Sequence, residues 1–196
     1  MKITLKSTDT HPIRLGSFAD LFAVGNYDGK PTNYSAQFLI PKGSPALAEF
    51  ETSVKKFAKD AWGDAAKMAV EKQNASNTKL MRDGDSIDGM TADGSPKPGW
   101  AGHVRVKAST KFAPKVIDRS MTELSEDDGK PYPGCAVSAQ VELYAFKDKK
   151  EMGMRLLAVQ FYADGEPFGG GGSLGADLSA FGEPTPEPKA SSNESW

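Results

Sequence analysis

The chain has 196 residues, of which 26% are charged and 38% hydrophobic, a composition typical of a globular domain rather than a disordered chain. No apolar run approaches the ~20 residues that cross a bilayer, and the first residues lack an apolar signal segment, so we expect neither a membrane protein nor a secreted one. Cys135 is the single cysteine, which excludes an intrachain disulfide and predicts a reducing, cytoplasmic location.

The net charge of −2 is unevenly distributed along the chain. From Glu166 onward there are five acidic residues and one basic residue, Lys189, whereas the first 165 residues carry 23 basic and 21 acidic residues. The body is therefore mildly basic and the tail acidic. This asymmetry is compatible with a nucleic-acid ligand but does not by itself decide the ligand class.

The first part of the chain predicts strands. Residues 2–8 alternate between polar and apolar, and residues 13–24 form a second apolar stretch with Gly16 as a bulge. The Asp28-Gly29 step predicts a hairpin turn. Residues 34–40 read as an aromatic-rich strand that ends before Pro41, which has no N–H to donate.

A helix follows these strands. Ser44 is a typical N-cap, and Pro45 suits the first helical position. Apolar residues then recur at spacings of three and four, which predicts one amphipathic helix. Gly63 interrupts this helix, and residues 64–72 resume the helical pattern.

The second half predicts a loop and three more strands. Residues 82–99 are rich in Asp-Gly steps and proline, which is typical of a loop. In residues 103–109 the basic side chains alternate with valines, so we expect a strand with a basic outer face. Residues 135–146 and 154–163 predict two long strands joined by a polar turn.

Five or six strands with one helix among them favour a mainly β fold, an OB-fold five-stranded Greek-key barrel with one helix insertion. We assign residues 1–168 to this domain. Residues 169–196 are rich in Gly, Pro and Ser and are predicted to be a flexible, mildly acidic, disordered tail.

The sequence offers no catalytic signature, and we expect neither an enzyme nor a cofactor. The aspartates near Asp83 lack the terminal glutamate of an EF-hand loop, so we expect a structural turn rather than a metal site. His11 and His103 have no partner at zinc-ligand spacing. Residues 169–173 lack the lysine of a phosphate-binding loop. We interpret Cys135 as a small buried thiol.

Basic residues interleaved with aromatics are the remaining signal. Proteins that bind single strands combine cations that follow the phosphates with aromatic rings on which bases stack. Residues 100–115 supply both, and we expect four other positions to join them on the folded surface. The predicted DNA-binding residues are Trp100, Arg105, Lys107, Lys111, Phe112 and Lys115, with Tyr34, Lys42, Arg82 and Tyr144 as additions.

An ordinary β protein would also show this pattern. Its core needs aromatics, and alternating Lys and Arg are found on any solvated strand face. For Trp100, Phe112 and Tyr34 a core position and a stacking role are equally compatible with the sequence. For Phe38, Phe50, Phe57 and Phe161 we expect a core position.

Several segments together resemble a family of phage-type single-stranded DNA-binding proteins, long catalogued as a domain of unknown function. The order and spacing of the segments hold over residues 14–181. The segments are FADLF (18–22), YSAQFLIPKG (34–43), RDGD (82–85), WAGHVRVKAS (100–109), KFAP (111–114), PGCAVSAQVELYAF (133–146) and LLAVQFYADGEPFGGG (156–171).

The resemblance implies an OB-fold that coats single-stranded DNA during phage replication, recombination or repair, without catalytic residues. It also implies an acidic tail that recruits replication or recombination proteins and competes with DNA, here with Glu194 and Trp196, although this tail is only weakly acidic. We expect a homo-oligomer, such as a dimer. Alternative hypotheses are a non-catalytic phage protein-interaction or assembly module and, less favoured, an enzyme on an OB scaffold.

Overall fold

A computed structural model describes residues 1–75, 80–146 and 149–168. The strands are β1 (Lys2–Leu5), β2 (Arg14–Leu15), β3 (Asn26–Tyr27), β4 (Lys30–Pro31), β5 (Tyr34–Pro41), β6 (Met81–Asp83), β7 (His103–Thr110), β8 (Lys115–Ile117), β9 (Ala136–Phe146) and β10 (Glu151–Ala163). The α-helices are α1 (Pro45–Trp62) and α2 (Ala66–Ala75), and short 3-10 turns lie at Gly63–Ala65, Ile87–Gly89 and Glu126–Asp128.

Within these described residues, eight strands form one sheet in the order β6-β7-β5-β2-β9-β10-β8, with β1 also paired to β9. β7 and β10 lie against each other across the curved sheet. No strand pairing among the described residues joins β6 to β8, so the hydrogen-bonded path is open. The enclosed core contains Phe38, Val106, Val137, Leu143 and Leu156.

The N-terminal strands are shorter than predicted. The Asp28-Gly29 turn does form the predicted hairpin, between β3 and β4. In the stretch 13–24, however, only Arg14 and Leu15 are strand residues. The N–H of Gly16 donates to the Gln37 carbonyl at 2.7 Å, after which the chain leaves the sheet until Asp20 bridges to Ser35. A Cβ at Gly16 would lie 2.8 Å from the Gln37 Cβ, so this close approach favours glycine.

The predicted helix is confirmed, including its start and its interruption. The Ser44 hydroxyl accepts a hydrogen bond from the Leu47 N–H at 3.2 Å, which satisfies one free donor of the first turn. Gly63 ends α1 with a positive φ of 53°. α2 then returns toward the sheet, where the buried side chain of Gln73 accepts from the Met152 N–H at 2.8 Å.

The mainly β fold with a helical insertion after the early strands is confirmed. The strands predicted at 34–40, 103–109, 135–146 and 154–163 correspond to β5, β7, β9 and β10. Additional short strands such as β6 and β8 lie in segments predicted as loop or connection. Cys135 is fully buried as predicted, and burial raises its pKa to about 11. Within residues 1–75, 80–146 and 149–168, neither helix is both long enough and apolar enough to cross a membrane.

Candidate nucleic-acid interface

β7 forms a basic surface on the outside of the sheet. Because side chains alternate along a strand, Arg105, Lys107 and Ser109 share the face opposite to the buried Val106 and Ala108. β6 adds Arg82, which lies directly across from Arg105 in the antiparallel register. Two guanidinium groups therefore occupy neighbouring positions on one face.

β9 and β10 form an aromatic surface next to it. Tyr144 and Phe146 share the outer face of β9, and their rings meet edge to face with centroids 5.2 Å apart. Across the strand pair, Tyr144 lies opposite Gly153, and the Arg155 guanidinium is 5.6 Å from the Tyr144 ring centroid. Phe146 is 45% exposed, so its ring is accessible from solvent.

These two surfaces are the walls of one groove, because β7 and β10 lie against each other. The groove encloses about 580 Å³, with Arg82, Arg105, Lys107 and Ser109 on one side and Tyr144, Phe146, Lys149 and Gly153 on the other. A smaller depression of about 260 Å³ continues it, because both share Ser109 and Tyr144. The continuation adds Lys111, Phe112 and Arg155, and the Phe112 ring is 80% exposed.

Arg105 is the most strongly perturbed cation of the groove. Its partial burial, and secondly the neighbouring Arg82, lower its pKa to about 10. Its Nε atom is buried and has no hydrogen-bond partner among the described residues. The guanidinium lies 5.5 Å from the Trp100 ring centroid. Arg82 is paired with Asp88 at 3.2 Å, so Arg105 is the guanidinium of the two that is suited to a bound anion.

The acidic loop at one end of the groove is an internally bonded turn. Lys42 Nζ lies 2.5 Å from Asp83 Oδ1 and 2.7 Å from Asp85 Oδ2. Asp85 also accepts from the Gly102 N–H at 2.8 Å. Hydrogen bonds from Lys42 lower the pKa of both carboxyl groups and raise the pKa of the lysine. The expectation that this motif forms a turn network is confirmed.

The sequence comparisons identify the family. Residues 6–188 match the family described as the single-stranded DNA-binding protein of Enterobacter phage Enc34. The chain belongs to this family. It is also 36% identical over 177 residues to the protein p50 of Acyrthosiphon pisum secondary endosymbiont phage 1, covering 88% of this chain and 89% of that protein. The resemblance inferred from the sequence is confirmed.

Solved structures of the Enc34 protein share the fold. Its complex with single-stranded DNA matches with a TM-score of 0.64 and 24% identity, covering 86% of this chain and 89% of that one. Another structure of the same protein matches with a TM-score of 0.55 and 22% identity, covering 92% of this chain and 89% of that one.

Six of the predicted site residues come together in the groove of this Enc34-family member. They are contributed by β6, β7, the segment after β7, and β9: Arg82, Arg105, Lys107, Lys111, Phe112 and Tyr144. Sequence reasoning missed Phe146, Lys149, Gly153 and Arg155. Alternation along the predicted strand 135–146 places Phe146 on the face of Tyr144, and this signal could have identified it.

Four predicted residues lie elsewhere. Trp100 is only 6% exposed and lies against Lys97 and Arg105, so no base has access to its faces. Lys115, on β8, pairs with Ala158 and lines a different surface with Thr4 and Gln140. Lys42 is bound in the acidic turn. Tyr34 shares the strand face of the buried Ala36 and Phe38 rather than that of the groove.

The remaining site predictions concern the tail and metals. Glu194 and Trp196, like the whole predicted tail of residues 169–196, lie outside the described residues. Across residues 1–75, 80–146 and 149–168, no three His, Cys, Asp or Glu side chains are arranged to hold a metal ion.

Proposed function

We propose that this protein binds single-stranded DNA, without sequence preference, along the groove between β7 and β10. The observation that carries the proposal is the concentration of cations and accessible aromatic rings on one continuous outer surface. Arg105, Lys107 and Lys111 lie along one side, and Tyr144 and Phe146 lie on the other. Membership of the Enc34 family supports the same ligand.

The two walls have different chemistry, and they suit different parts of the strand. Guanidinium and ammonium groups on the β7 side bind phosphates, whereas the rings on the β9–β10 side stack with bases. Stacking needs a base with a free face, and bases in a duplex are already stacked on one another. The arrangement therefore favours single strands, and it tolerates any sequence because every base has a π face.

The decisive experiment measures fluorescence anisotropy of a labelled oligo-dT during titration with the full chain, at several salt concentrations. Each phosphate contact contributes about 0.7 to the slope of log affinity against log salt. The double variant Lys107→Ala, Lys111→Ala is expected to lower this slope by roughly 1.4 and to weaken binding at about 0.1 M salt by tenfold or more.

Lys115→Ala is the matched control, because it removes a lysine of the same sequence segment from a different surface. It is expected to leave both slope and affinity unchanged. Binding that is insensitive to salt, or an equal effect of both variants, would place the DNA elsewhere. If neither the full chain nor a chain lacking residues 182–196 binds, the protein-interaction or assembly hypothesis takes first place.

The biological role also belongs to the proposal. We infer that the protein coats and protects single strands during phage DNA replication, recombination or repair, and that it acts without catalysis. Incubation of labelled single-stranded DNA with the protein and magnesium checks the second point, with intact DNA as the expected result.

A further inference from the structure

The Tyr144 ring packs over Gly153 and occupies the space that a Cβ would need. The two residues face each other in the β9–β10 register. An ideal Cβ at Gly153 would overlap the Cζ atom and hydroxyl oxygen of Tyr144 and would lie 2.8 Å from its Cε1 atom. No other side chain could therefore occupy position 153 while the ring stays in place.

Two further neighbours fix the ring laterally. Phe146 contacts it edge to face at 5.2 Å from one side, with an interplanar angle of 65°. Arg155, which forms an ion pair with Glu142 at 2.6 Å, lies 5.6 Å from the ring centroid. The Tyr144 ring is therefore packed on Gly153 from below and on Phe146 and Arg155 from the sides.

We propose that Gly153 is a positioning residue that holds the Tyr144 ring flat in the groove as a platform for a DNA base. The inference rests on the proposed function, because it assumes that Tyr144 stacks with DNA. Gly153 does not touch the strand itself. A side chain at this position would lift the ring away from the sheet and change the angle at which its free face meets a base.

A double-mutant cycle tests the inference, with affinity for oligo-dT measured across salt concentrations. Tyr144→Ala is expected to weaken binding about 5- to 150-fold, the range for loss of one stacked base. Gly153→Ala is expected to weaken binding to oligo-dT at least fivefold relative to the wild type. In both variants the salt slope should stay unchanged, because no phosphate contact is removed.

In the Tyr144→Ala background the Gly153→Ala change should have no further effect on affinity, because the displaced ring is already absent. Tyr144→Phe keeps the ring, so Gly153→Ala should still weaken binding in this background. Independent, additive effects of the two alanine changes would overturn the inference, as would full affinity of Gly153→Ala. If Tyr144→Ala itself binds normally, the stacking role in the proposed function fails instead.

Thermal unfolding separates positioning from folding. Gly153→Ala is expected to unfold cooperatively near the wild-type midpoint, because the ring can rotate aside into the open groove. If the single variant does not fold, Gly153→Ala with Tyr144→Ala should fold, since the overlap is removed. Failure of this double variant to fold would show that the backbone itself needs the glycine, and would overturn the inference.

Discussion

At the scale of single residues, the proposed DNA-binding role of Arg105 is opposed to its effect on stability. The structure holds its guanidinium partly buried and opposite Arg82, and both circumstances disfavour the charge. We predict that Arg105→Met weakens oligo-dT binding about tenfold and lowers the salt slope by roughly 0.7. Its free energy of unfolding should stay equal or rise by about 1 kcal/mol, because a desolvated cation is replaced by an apolar side chain.

Anisotropy titrations and urea unfolding of the same preparation measure the two effects together. Arg119→Met is the control, because Arg119 is an exposed cation that lies 4.7 Å from the Tyr162 ring centroid and does not line the groove. A large loss of stability in Arg105→Met would show instead that the contact with Trp100 outweighs the cost of burying the charge.

Unlike Arg105, Lys42 is a cation that already forms ion pairs with carboxylates. We predict that Lys42→Ala leaves the salt slope for oligo-dT unchanged, because its ammonium group is bound by Asp83 and Asp85 rather than by phosphate. Protein stability at neutral pH should fall slightly, as expected for a partly exposed ion-pair network. A drop of the slope by about 0.7 would show that the lysine leaves the turn and binds DNA.

The turn should also make stability depend on pH. The Lys42 contacts depress the pKa values of Asp83 and Asp85 in the folded protein. Their stabilising contribution is therefore present above the unfolded carboxyl pKa, and it is lost as the pH falls through the lower folded values. Lys42→Ala should lose less stability than the wild type over this acidic range, which thermal unfolding between neutral and acidic pH measures.

The candidate site was only partly predictable at this scale. Alternation in residues 103–109 was enough to place Arg105 and Lys107 on one outer face, because the period of a strand is fixed. The same pattern could not distinguish Trp100 from Phe112, since both lie outside the predicted strand 103–109 and burial depends on distant packing. Lys42 and Lys115 lie outside the groove, which the sequence could not show, because sequence distance does not report which side of the sheet a strand end faces.

At the scale of elements, the long strands and the helix were predictable, whereas several short strands were not. The strand pattern of residues 135–146 and 154–163 predicts β9 and most of β10, and the cap and apolar spacing predict α1. β2, β6 and β8 contain only two or three residues each. They exist because neighbouring strands offer free hydrogen-bonding groups, which is a property of the assembled sheet.

Residues 165–168, which we call the strap, pack against the domain after β10 ends. The Arg14 guanidinium lies 4.1 Å from the Phe168 ring centroid and donates to the carbonyls of Gly134 and Glu166. The ring covers Gly99, where a Cβ would overlap it. Phe168→Ala is predicted to lower the free energy of unfolding by about 2 kcal/mol, through lost burial and the lost cation–π contact.

Urea unfolding measures the contribution of the strap, with the free energy of unfolding of Phe168→Ala compared with that of the control Phe18→Ala. Phe18 is 70% exposed, so its truncation should change stability by less than about 0.5 kcal/mol. Equal midpoints for Phe168→Ala and the wild type would show that the strap contributes nothing to folding.

At the scale of the whole molecule, charge is divided between a mildly basic body and an acidic tail. Residues 169–196 carry four acidic residues and Lys189, a net charge of −3. They follow directly after the strap, which ends at Phe168. The Phe168 ring covers Gly99, and the next residue, Trp100, contacts Arg105. Phe168, the residue that precedes this negative segment, therefore lies near Trp100 and the groove cation Arg105.

We therefore predict that deletion of residues 169–196 raises the affinity for oligo-dT several-fold at low salt, because a competing negative segment is removed. The gain should shrink as salt rises, since the Debye length falls to about 8 Å at physiological ionic strength. A full-length variant with Glu183, Glu187 and Glu194 changed to Gln is the matched control, and it should reproduce much of the gain. If deletion raises affinity while the Gln variant does not, the tail acts by steric cover rather than by charge. If neither changes affinity at low salt, the tail and the DNA do not compete, and the charge division serves another partner.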